Sequence, residues 1–313
     1  MNGEGADAAM EEYAGAFAQR RSPDFSKANL SVWFRCANAL IEDGNLDLAI
    51  FAVRHMHAAW PNSPWAANVL RMLDLMPPVN SKSIPFGDVF PSPVQVARRP
   101  GADIAVVVFC GADDGIGMPL AMLHRWLTQW PVSVIYLRDL KKLSYLGGIE
   151  GLGQEIGSAV AGLRTCIETL GARRIICYGA SSGGYGALRY GLELGAETVI
   201  CMAGLVNMRP EFNADLAYLD IARRLHEVFP GQELDVRQLY LRAAQRPKAW
   251  LVYGEQNSAD RIHAEHMAAA PGAITVQVRG YRSHNPAAHL IRIGAFRAAL
   301  RRMIGAEEPL SPS

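Results

Sequence analysis

Hydrophobic and polar positions divide the chain into two rhythms. Between about residues 30 and 76, apolar positions recur at helical spacing, first Trp33, Ala37, Leu40 and Ile41, then Leu46, Ala49, Ile50 and Val53. Asp43-Gly44-Asn45 and the stretch from Pro61 to Pro64 break this pattern into separate helices. From about residue 102 the rhythm becomes strand, turn, helix, repeated. Apolar runs at Ile104–Cys110, Val132–Leu137, Arg174–Tyr178, Thr198–Met202, Ala249–Tyr253 and Ile274–Val278 predict strands. Segments near Pro119–Trp130, Leu152–Leu170, Gly183–Leu194, Asp260–Ala269 and Pro286–Ile304 predict helices. Most of the strands are near-continuous apolar runs rather than alternating ones, as a sheet covered on both faces requires. The fold class is therefore α/β, a mostly parallel doubly wound sheet with helices on either side.

Three regions follow. Residues 1–76 form a small all-α N-terminal segment, 77–101 a linker carrying Pro77, Pro78, Pro85, Pro91, Pro93 and Pro100, and 102–306 the α/β domain. The linker also has room for a short edge strand around Val94–Ala97. In the N-terminal segment Trp33, Ala37, Gly44, Ala49 and Pro61 resemble the tetratricopeptide repeat pattern, with Leu40 and Val53 at its aromatic positions. A single repeat cannot bury its own face. The resemblance implies either a helical cap on the main domain or a docking surface for a protein partner or a second copy.

Composition narrows the chemistry. The 313 residues are 50% hydrophobic and carry a net charge of +1, which offers no general attraction to nucleic acid or anionic membrane. The arginine pairs, such as Arg98-Arg99 and Arg223-Arg224, are scattered and read as solvated surface. No apolar run is long enough for a membrane span. The five cysteines (Cys36, Cys110, Cys166, Cys177, Cys201) are widely spaced, with no C-x-x-C and no Cys/His cluster. Buried thiols and an acidic N-terminus without a charged-then-apolar leader lead to the expectation of a cytoplasmic protein without metal or cofactor.

The strongest chemical signal is Gly179-Ala180-Ser181-Ser182-Gly183, which directly follows a predicted buried strand and opens a helix. A serine at such a sharp turn projects its hydroxyl above the sheet, and glycines two residues either side avoid collision across the turn. Neither a G-x-G-x-x-G pattern nor a P-loop lysine accompanies it. A nucleophilic serine needs a base, and the base needs an orienting acid. Among the histidines after Ser181, His226 lies before the penultimate strand, His263 and His266 within a predicted helix, and His289 inside the last one. His284, in the loop between the last strand and the terminal helix, is the candidate base. For the acid, Asp260 and Glu255 compete in the segment after the penultimate strand, with Asp260 favoured although it could equally cap the next helix; Asp215 and Asp220 are further options. An oxyanion hole would combine the amide of Ser182 with that of Ala112 or Asp113, in the glycine-rich loop after the first central strand. Asp113-Asp114 is read as solvated loop rather than a metal site.

This constellation resembles the α/β-hydrolase superfamily over roughly residues 95–305. The run Ser-Ser-Gly-Gly-Tyr-Gly-Ala-Leu from Ser181 looks like the elbow of esterase-D-like and antigen-85-like acyl enzymes, with Ser182 where Met is common. Tyr136-Leu-Arg-Asp139 and Tyr145-Leu-Gly-Gly148 resemble segments of accessory-secretion glycan O-acetyltransferases. The resemblance implies the chain order serine, acid, histidine, and an insertion at 204–247 that covers the active site. It implies hydrolysis of an ester or thioester through an acyl-enzyme, on a small-molecule, glycan or acyl-carrier substrate. Two alternatives stay open: acyl transfer with the same triad, and a non-catalytic binding module recruited through the N-terminal helices.

Overall fold

The computed structural model of the chain describes residues 45–77 and 91–305 without interruption, and scattered residues among 12–41 and 84–89. Seven strands form one sheet: β1 (Val94–Ala97), β2 (Ile104–Phe109), β3 (Val132–Leu137), β4 (Arg174–Ala180), β5 (Thr198–Met202), β6 (Lys248–Gly254) and β7 (Ala273–Val278). Their order is β1-β3-β2-β4-β5-β6-β7, with β1 antiparallel to β3 and every other pair parallel. The edge strand expected around Val94–Ala97 is β1, so the proline-rich stretch contributes to the sheet.

The central strands β2, β3 and β5 are buried at every residue, which is why their sequences are unbroken apolar runs. Alternate side chains serve two separate cores. Val106, Val108, Tyr178 and Val252 belong to one, Val107, Phe109, Cys177 and Leu251 to the other. Helices α1 (Leu46–Ala59), α2 (Pro64–Asp74) and α3 (Leu120–Leu127) bury residues in the first core. Helices α4 (Ile156–Leu170) and α5 (Ser182–Leu194) bury theirs in the second. So do α6 (Leu219–Val228), α7 (Val236–Arg242) and α8 (Ser258–Ala268). The insertion supplies α6 and α7.

The predicted helix over Pro286–Ile304 is in fact two, α9 (Pro286–Arg292) and α10 (Phe296–Ile304). Gly294 between them sits at φ 74°, a left-handed conformation that ends the first helix and that glycine adopts without strain. Both helices return to the first core through Leu290, Phe296 and Leu300. There they meet the N-terminal pair: the Arg292 guanidinium donates to Asn68 Oδ1 on α2. Ser63 caps α2 by accepting from the Ala66 amide, with Pro64 at its first turn. Of the tetratricopeptide-like positions, Trp33 and Gly44 lie outside the described residues, and Ala49 is buried on α1. Among the described residues no helix is long and apolar enough to cross a membrane.

Candidate active site

The centre of the sheet ends in a strained turn. Ser181 follows β4 at φ 53° and ψ −123°, and α5 begins at the next residue. Such a backbone costs roughly 1–3 kcal/mol in a residue with a Cβ, and it persists only where its surroundings enforce it. Here the Ser181 amide donates to the Met202 carbonyl on β5 (3.1 Å), and the Ser181 carbonyl accepts from Leu205 (3.2 Å) and Gly184 (2.9 Å). The two flanking glycines leave no room for side chains. A Cβ on Gly179 would lie 2.1 Å from the Gly183 carbonyl oxygen, and one on Gly183 2.1 Å from the Phe109 carbonyl oxygen. Both obstacles are backbone, so they cannot swing away. Gly183→Ala is accordingly expected to lose about 3 kcal/mol of stability, read as a lower urea midpoint. An unchanged midpoint would mean that the turn has slack the contact distances deny.

Ser181 lines a cleft of about 270 Å³ whose other walls are the loop after β2 and the loop before α9. The first contributes Gly111, Ala112, Asp113, Gly115, Ile116 and Gly117; the second His284, Asn285 and Pro286. Three amides of the β2 loop are used within it, Gly111 to the Gly115 carbonyl (2.6 Å), Asp114 to the Gly111 carbonyl (3.1 Å) and Gly115 to Asp113 Oδ1 (3.1 Å). The amides of Ala112 and Asp113 take no part in these bonds, and both residues line the cleft. Ser182 is the first residue of α5, where amides have no partner inside the helix and the helix dipole favours negative charge.

Lining the same cleft as Ser181, His284 pairs with Asp260: Nδ1 lies 2.6 Å from Asp260 Oδ1. The Asp260 side chain is 1% exposed and that of His284 35%. A carboxylate against Nδ1 keeps the ring proton there and leaves Nε2 as the lone-pair nitrogen. Nε2 is buried and has no hydrogen-bond partner among the described residues. Asp260 is not the cap of α8. Asn257 takes that role, its side chain accepting from the Asp260 amide (3.1 Å), which places Asp260 in the first turn. Glu255 is exposed and its Oε2 accepts from the Gly280 amide (2.7 Å), closing the turn after β7.

Every other histidine after Ser181 has different surroundings. His263 Nδ1 accepts from the Val206 amide (3.1 Å), and burial first, then His266 and His284, lower it to about 3. His266 Nε2 lies 3.0 Å from both Asp235 carboxylate oxygens. Burial pushes Asp235 up, but the bond from His266 and the nearby charges outweigh it and leave the group below its usual range. His289 contacts Arg292 and the Tyr281 ring, and His226 is exposed, as are Asp215 and Asp220.

Two residues near the site escaped the sequence reading. Asn285 caps α9 through its Oδ1, which accepts from Ala288 (3.1 Å), while its Nδ2 donates to the Gly117 carbonyl. It thereby ties the His284 loop to the loop after β2. The Asn-Pro pair at a helix start was a readable cap signal. The other is Tyr218, whose hydroxyl lies 3.5 Å from His284 Nδ1. Among the described residues no group of three or more His, Cys, Asp or Glu side chains could hold a metal ion.

No protein-family model matches the chain, and the comparison with curated proteins found no match. Solved structures do match. Esterase 2 of Thermogutta terrifontis, in its apo form, is 15% identical, covers 75% of this chain and 98% of its own, and superposes with a TM-score of 0.50. The substrate-bound fluorophosphonate-binding serine hydrolase F of Staphylococcus aureus is 14% identical, covering 72% of this chain and 96% of its own at a TM-score of 0.50. At these identities the likeness concerns the fold. The chain has the α/β-hydrolase fold.

Proposed function

We propose that the chain is a serine hydrolase that cleaves short-acyl carboxylic esters or thioesters. The observation that carries this reading is the bond of buried Asp260 to His284 at 2.6 Å, His284 bordering the same cleft as a serine held in a strained turn. The esterase and the serine hydrolase that share the fold agree with it.

In this reading the Ser181 hydroxyl attacks the acyl carbonyl while His284 Nε2 takes its proton. The negative oxygen of the tetrahedral intermediate is held by the Ser182 amide and by that of Ala112 or Asp113. The imidazolium, stabilised by Asp260, returns the proton to the departing alcohol or thiol, leaving an acyl-Ser181. Water, deprotonated by the same nitrogen, then releases the acid and restores the serine.

The cleft limits the substrate. At roughly 30 Å³ per water-sized group, its 270 Å³ accommodates about nine non-hydrogen atoms. Ile116, Met202 and Pro286 give it apolar walls, and no Lys or Arg among the described residues lines it. A neutral, short acyl group fits this space; an anionic one finds no countercharge. In a p-nitrophenyl ester series, kcat/KM is expected to peak between acetyl and butyryl and to fall at least about tenfold by octanoyl. A maximum at octanoyl or longer would contradict the reading. Including a sugar alcohol in the same series, and analysing products, separates hydrolysis from acyl transfer.

A further inference from the structure

Asp260 has two carboxylate oxygens and only one is accounted for by His284. Oδ1 accepts the hydrogen bond from Nδ1–H at 2.6 Å, whereas Oδ2 is buried with no hydrogen-bond donor among the described residues. A buried carboxylate oxygen left in this state is costly and calls for a donor. The side chain that reaches this place from outside the sheet is Tyr218, the residue immediately before α6 in the insertion. Its hydroxyl lies 3.5 Å from His284 Nδ1, and its ring meets that of His284 at 6.1 Å and that of His263 edge-on at 5.6 Å.

The proton inventory decides what the phenol does there. His284 Nδ1 already carries a proton and has no lone pair to offer, so Tyr218 cannot donate to it. His263 Nδ1 is filled by the Val206 amide, so its buried Nε2 carries the ring proton and offers the phenol a donor, not an acceptor. Burial, then the nearby charge of Asp260, push the Tyr218 phenol up to about 12, so it keeps its proton and acts as a donor. The unfilled acceptor beside it is Asp260, whose Oδ2 has no donor among the described residues.

We propose that Tyr218 is a positioning residue for the Asp260–His284 pair, donating a hydrogen bond to Asp260 and bracing the His284 ring from the insertion side. The proposal rests on the serine-hydrolase reading of the site. It makes the insertion part of the acid–base machinery, because the loop that carries Tyr218 must be in place for the buried carboxylate to be fully bonded.

The groups facing His284 from other elements are Asp260 and His263 on α8, Tyr218 in the insertion and Asp113 across the cleft. Removing the phenolic donor concentrates charge on Asp260 and favours the imidazolium. Tyr218→Phe, which keeps the ring, is therefore expected to lower kcat about tenfold, with KM nearly unchanged. The acidic limb of the kcat/KM profile should move up by about half a pH unit. The low-field proton resonance of His284 Nδ1–H should shift as well, a readout that needs no turnover. An unaltered pH limb, resonance and kcat would overturn the proposal. So would a raised KM at intact kcat, which would make Tyr218 a wall of the cleft. Wild-type protein lacking Ser181-dependent turnover, with the resonance still shifted by Tyr218→Phe, would sink the hydrolase reading and leave the Tyr218–Asp260 bond standing.

Discussion

Replacing Asp260 by asparagine is expected to lower kcat about 10⁴-fold while leaving the fold in place. The size of the loss follows from the direction of one hydrogen bond. Asp260 Oδ1 accepts from His284 Nδ1 at 2.6 Å, which fixes the proton on Nδ1 and the lone pair on Nε2. An asparagine that turns its amide toward the ring donates instead of accepting, and the imidazole answers by moving its proton to Nε2. A ring protonated there has nothing with which to take the serine proton. The change is nearly isosteric, so the buried first turn of α8, capped by Asn257, should hold. Glu255→Gln is the internal control. Its carboxylate bonds the Gly280 amide, an acceptor role the glutamine oxygen retains, and activity should change less than about twofold. Steady-state kinetics on a short p-nitrophenyl ester distinguishes the two; similar losses in both variants would return Glu255 to contention as the acid.

Ser181→Ala carries the other large effect. With no nucleophile, acyl transfer to the enzyme stops, and kcat should fall by about 10⁴-fold or more, to whatever the amides and cleft achieve with water alone. The stability of this variant should stay close to wild type. Alanine suffers the same strain at φ 53° as serine, and the bonds that hold the turn run through the backbone of residue 181. A large loss of activity with an unchanged urea midpoint assigns the loss to chemistry rather than to unfolding.

Much of the sheet was legible because its strands are buried on both faces. Ile104–Phe109 and Val132–Leu137 are apolar at nearly every position, and only a strand in the middle of a covered sheet tolerates that. The turn at Ser181 was legible because its glycines answer to backbone collisions, which leave no alternative residue. What stayed hidden depends on where elements land in three dimensions. Asp260 and Glu255 both follow β6 closely, and what separates them exists only in three dimensions: Asp260 meets His284 Nδ1 at 2.6 Å, whereas Glu255 accepts from the Gly280 amide in the turn after β7. Tyr218 carries no motif in the sequence, since its approach to α8 is a matter of packing across the 42 positions that separate it from Asp260. The break at Gly294 was a readable signal that the strong apolar periodicity of residues 286–304 overrode.

The central claim is that Ser181 becomes acylated by its substrate. A fluorophosphonate probe reacts with a serine whose proton a neighbouring base removes, and it leaves a mass tag on the residue attacked. Peptide mass mapping after labelling should find the tag on Ser181 in wild type, abolished in Ser181→Ala and strongly slowed in Asp260→Asn. Folded wild-type protein that stays unlabelled, or a tag that persists in Ser181→Ala, would contradict the account.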